Sequence, residues 1–67
     1  MNEEKFNLEI RKFLKVVGIN SQRDIERAVR DAAEAGKLGD GPVKARMTLE
    51  LPELGVRRVI EEEIALK

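Results

Sequence analysis

Apolar residues recur at Ile25, Ala28, Val29, Ala32 and Ala33, the i, i+3, i+4, i+7, i+8 series of one helix face. Ser21, with Asp24 three positions on, has the form of a capping box that would satisfy the orphaned N–H groups of a first turn. Gly36 supplies a left-handed stop, and Lys37 follows at the negative end of the helix dipole. The pattern predicts a helix at about residues 22–35 whose apolar stripe is mostly alanine, so a neighbouring element can approach its axis closely. Upstream, Phe6, Ile10, Phe13, Leu14 and Val17 share an arc of roughly 100°. Asn2 is placed to cap this segment, and Glu3 and Glu4 suit the positive dipole end. Gly18, followed by Ile19 able to fold back on Leu14, reads as a stop, giving a first helix at about 3–17 and a short connection to the second.

After the loop-rich segment Lys37–Pro42 the period changes to two. Val43, Ala45, Met47, Leu49 and Leu51 alternate with Lys44, Arg46, Thr48 and Glu50, the pattern of a half-buried strand at about 43–51. Pro52-Glu53-Leu54-Gly55 breaks it and turns the chain. The last segment is open to two readings: Val56, Val59, Ile60 and Ile64 fit a helix face, whereas Ile60, Ile64 and Leu66 fit a strand in which Glu62 is the one misfit. A lone first strand would leave its hydrogen-bonding ladder unpaired, so a second strand at about 59–66 is preferred. The expectation is an α+β single domain over residues 1–67, with two N-terminal helices packed on a C-terminal two-stranded antiparallel hairpin. Its expected core is Phe6, Ile10, Phe13, Leu14, Val17, Ile19, Ile25, Val29, Ala32, Met47, Leu49, Ile60, Ile64 and Leu66.

Composition narrows the chemistry. There is no cysteine and no histidine, which removes disulfides, thiolate nucleophiles, imidazole bases and Cys/His zinc sites. Without histidine, nothing in the chain marks Ser21 as an activated nucleophile, and its spacing to Asp24 is explained by capping. No catalytic residue, cofactor site or metal site is assigned, and the chain is read as a non-enzyme. Thirteen basic and thirteen acidic side chains cancel, so no global field favours nucleic acid or a membrane surface. No signal-peptide pattern or long apolar run is present, and the expected location is the cytoplasm.

Three constellations remain. A helix-turn-helix would want a buried aliphatic residue six positions after Gly18, where Asp24 stands instead. Arg23, Arg27 and Arg30 are the candidates for contact with nucleic acid, but they interleave with Asp24, Glu26, Asp31 and Glu34 at ion-pairing spacings, which favours a solvated face. Glu61-Glu62-Glu63 alternates faces on a strand, leaving too few oxygens on one side for calcium, and Lys44, Arg46, Arg57 and Arg58 are available to pair with it.

The segment Phe13-Leu14-Lys15-Val16-Val17-Gly18-Ile19-Asn20-Ser21-Gln22-Arg23-Asp24-Ile25-Glu26-Arg27-Ala28-Val29, the triplet Gly36-Lys37-Leu38 and the tail from Glu53 to Leu66 resemble a small family of short bacterial proteins of unknown function. The family pattern has glycine near Glu62 and a strand-like ending, which supports the terminal strand. The resemblance implies no activity, cofactor or catalytic residue. The function expected on these grounds is protein interaction or self-assembly, with a homodimer or an unidentified protein as partner; weak nucleic-acid binding is the alternative. A two-stranded hairpin leaves two open edges, and Leu8, Leu38 and Leu54 are apolar groups outside the main faces, so they are the candidate interface residues.

Overall fold

The computed structural model describes residues 1–67. One helix, α1 (Glu3–Glu34), is followed by strand β1 (Val43–Leu51), a 3-10 turn (Pro52–Leu54) and strand β2 (Val56–Ile64). Asn2 caps α1, its Oδ1 accepting the Lys5 N–H at 3.0 Å. At the other end Gly36 adopts φ 70°, the Gly36 N–H donates to the Ala33 carbonyl at 3.1 Å, and the Lys37 N–H donates to the Ala32 carbonyl at 2.8 Å. These two bonds satisfy carbonyls that the last turn leaves without helical partners.

The two expected helices are therefore one. Gly18 has no positive φ, and Ser21 and Asp24 lie in the helix interior rather than at a cap. A glycine inside a helix costs only about 1 kcal/mol relative to alanine, and no proline occurs between Glu3 and Glu34 to enforce a break. The apolar stripe also stays in phase through Gly18. At about 100° per residue, Phe6, Ile10, Phe13, Leu14 and Val17, then Ile25, Ala28 and Ala32, fall within one arc of about 120°. The supposed fold-back of Ile19 on Leu14 does not form, because the chain continues helically past both.

Strand β1 has the bounds read from its alternation, while β2 begins at Val56 instead of about 59 and ends at Ile64 instead of Leu66. The earlier start follows from the turn. Gly55 at φ 65° lets the chain reverse at once, so Leu51 pairs directly with Val56. The antiparallel register then runs one-to-one to Val43 opposite Ile64. One face carries Val43, Ala45, Met47, Leu49, Leu51, Val56, Ile60 and Ile64, with Arg58 and Glu62 as its charged members. The other face pairs Lys44 with Glu63, Arg46 with Glu61, Thr48 with Val59 and Glu50 with Arg57.

The expected packing of helix on sheet is hardly present. No residue is buried. Of the expected core, Val17, Val29, Ala32, Leu49, Ile64 and Leu66 are partly covered, and the remainder, including Phe6, Ile10, Phe13, Leu14 and Ile60, are exposed. Length accounts for the N-terminal half: a 32-residue helix is about 48 Å long, whereas nine-residue strands reach about 30 Å, so the hairpin cannot span the stripe. Ile25, Met47 and Ile60 stay exposed because the hairpin stands off the helix across an open groove. The molecule measures 52 × 21 × 18 Å.

Glycine substitutions separate these backbone states. A Cβ at Gly18 meets nothing within 4 Å, so Gly18→Ala is expected to stabilise the chain by about 0.5–1 kcal/mol in urea unfolding followed by circular dichroism. Gly55→Ala, at positive φ, is expected to destabilise it by about 1 kcal/mol or more. A destabilising Gly18→Ala would instead mean that the helix stops there.

Candidate functional site

The C-terminal half of α1 faces the apolar side of the hairpin across an open groove of about 530 Å³. Ser21, Asp24, Ile25, Ala28 and Val29 line it from the helix; Val43, Ala45, Met47, Ile60 and Ile64 line it from the strands. Of the stripe's three alanines, Ala28 lies here, while Ala32 and Ala33 do not, and the hairpin does not close on the helix. Further toward the N-terminus the stripe runs beyond the groove. Phe6, Ile10, Phe13 and Leu14 are outside the groove and 39–56% exposed. The principal surface feature is thus a continuous apolar band, bulky along the first half of α1 and concave along the second.

The polar face of the hairpin is organised by Glu61. Arg46 Nε donates to its Oε2 at 2.7 Å, and Lys44 Nζ lies 3.7 Å from its Oε1. Glu61 and Glu63 share that face, as strand alternation required, and Glu62 stands on the apolar one opposite Ala45. Arg57, Arg58, Glu62 and Glu63 make no ion pair. No group of three acidic side chains is placed to hold a metal ion, and no helix is long and apolar enough to cross a membrane.

The residues singled out from sequence do not converge. Leu8 is exposed on a side of α1 away from the stripe, Leu54 is 74% exposed in the turn, and Leu38 is partly covered after the helix. Arg23, Arg27 and Arg30 share one side of α1, outside the stripe on the helical count. Arg30 lies 3.9 Å from Glu26, one of the expected i, i+4 pairs. What the sequence reading missed was the length of the exposed band. The signal was available in the common phase of the two helical segments on either side of Gly18.

The profile of a family of unknown function, DUF6494, matches residues 1–67. The chain belongs to that family. This agrees with the resemblance carried by Phe13–Val29, Gly36-Lys37-Leu38 and the tail. No curated protein and no solved structure matches the chain.

The arginine row gives a direct test of the nucleic-acid alternative. With acids interleaved and zero net charge, no retardation of single- or double-stranded DNA is expected in a low-salt mobility-shift assay. A shift that weakened steeply with salt and was lowered by Arg27→Glu would establish phosphate contact.

Proposed function

We propose that the chain is a non-catalytic, cytoplasmic self-association module whose stable form is a homodimer. The observation that carries this reading is the surface left uncovered. The chain exposes 6281 Å², against about 4,300 Å² for a folded monomer of its mass. The excess of about 2,000 Å² per chain is on the scale of permanent interfaces, which bury about 2,000–5,000 Å² in total. The radius of gyration, 16.0 Å, likewise exceeds the roughly 11 Å of a compact domain of this length.

A second copy is the occupant best supported, because it brings an equal length of uncovered stripe and leaves no apolar band over. The bulky half of α1, with Phe6, Ile10, Phe13 and Leu14, is the largest apolar area for that copy to cover; Leu8, Leu38 and Leu54 lie off it. The cytoplasmic setting carries over the expectation from a sequence pattern with no apolar run near ~18 residues. The non-catalytic reading rests on residue chemistry: the chain has no histidine or cysteine to serve as base or nucleophile.

Sedimentation equilibrium at tens of micromolar is expected to give twice the 7.6 kDa chain mass, and the thermal midpoint is expected to rise with protein concentration. Phe13→Ala is expected to weaken the dimer by about 2 kcal/mol, roughly 30-fold in Kd. A single 7.6 kDa species with a concentration-independent cooperative transition would refute self-association.

A further inference from the structure

Resting on the self-association just proposed, we infer that two copies join through the free edges of their β2 strands. Pairing is antiparallel about a two-fold axis at Ile60, giving a four-stranded sheet in the order β1-β2-β2-β1.

The edge is available. The sheet has two strands, so β2 presents one row of unpaired N–H and C=O groups. Val56–Ile64 contains no proline, and its one-to-one pairing with β1 contains no bulge. It therefore lacks two of the usual devices that prevent a strand edge from pairing.

The charges select the partner and the register. Strand β2 reads Val-Arg-Arg-Val-Ile-Glu-Glu-Glu-Ile, basic in its first half and acidic in its second. With Ile60 opposite Ile60 of the second copy, Arg57 faces Glu63, Arg58 faces Glu62 and Val56 faces Ile64, each contact occurring twice, and Val59–Glu61 is the one unmatched pair. These four charged residues are the ones on β2 that make no ion pair within the chain; Glu61 is already held by Arg46 and Lys44. The register also gives Arg58 and Glu62 a reason to stand on the apolar face, where nothing in their own hairpin neutralises them.

Rival arrangements match less well. Sliding the strands one way sets Glu61 on its own copy, and sliding them the other keeps only the Arg57–Glu61 match while setting Arg58 against Ile60 and Glu62 against Val56. In-register parallel pairing stacks arginine on arginine and glutamate on glutamate. Pairing through β1 about Met47 matches only Lys44 with Glu50, and Lys44 already lies near Glu61. The β2 arrangement also keeps both apolar hairpin faces on one side of the sheet, because partners across the axis have the same parity. Both helices then lie on the same side of one four-stranded sheet.

The chain has no cysteine, so one introduced thiol reports on the axis. Residues opposite each other in an antiparallel pair have Cα atoms about 4.5–5.5 Å apart, within disulfide reach. Ile60→Cys is expected to give a disulfide-linked dimer on mild oxidation. Val56→Cys is not, since its own copy would lie about 27 Å away along the strand. Charge reversal supplies a second readout by sedimentation. Arg58→Glu and Glu62→Arg should each raise the dimer Kd about tenfold, and combining them should restore it. If the native chain dimerises but Ile60→Cys stays uncrosslinked and the double reversal fails to restore affinity, the β2 seam is wrong while self-association stands. Cross-linking of Met47→Cys in place of Ile60→Cys moves the seam to β1. A native chain that is monomeric throughout removes both readings.

Discussion

An apolar stripe that runs the length of α1 has to be covered, and the rest of the chain is too short to cover it. Asn2 at one end and the Gly36–Lys37 turn at the other close off the helix, so its 32 residues behave as a single rod. What remains builds a hairpin that reaches the small-residue half, from Ser21 to Val29, and leaves Phe6, Ile10, Phe13 and Leu14 bare. A two-stranded hairpin is marginal in water by itself. Tertiary packing, rather than propensity, normally stabilises an amphipathic helix. Neither element completes the other here, which is why the uncovered surface dominates the functional reading.

The hairpin is better defined than its solvent exposure suggests. A slip of one residue would exchange its faces, moving Val43, Met47 and Leu49 to the polar side. The Gly55 turn sets the register at one end, and Glu61, held by both Lys44 and Arg46, fits that register in the strands. These are exposed ion pairs, and such pairs contribute at most about 1 kcal/mol each. Their value is in matching the turn, so that local geometry and cross-strand charge agree on one alignment.

Much of this was legible from residue order. Asn2 as a cap, Gly36 as a stop and the bounds of β1 all followed from local signals, whereas the partner strand followed from the need of β1 for one. Gly18 did not. A glycine after Val17 can end a helix or sit inside one, and about 1 kcal/mol separates it from alanine in the interior. The deciding fact was non-local: the stripes before and after it have the same phase. The start of β2 was misjudged for a related reason. Arg57 and Arg58 broke the apolar alternation, while pairing with β1 recruited them regardless.

The sequence by itself determined which groups share a face, because alternation and helical spacing are properties of neighbouring residues and need no partner. It likewise determined the caps and turns, where a few atoms close a hydrogen bond within reach of one another. Only the tertiary structure decided whether those faces meet. Amphipathic patterning says that a stripe seeks cover, but coverage depends on the lengths and relative placement of whole elements. A rod of about 48 Å beside strands of about 30 Å leaves Phe6, Ile10, Phe13 and Leu14 as an exposed surface.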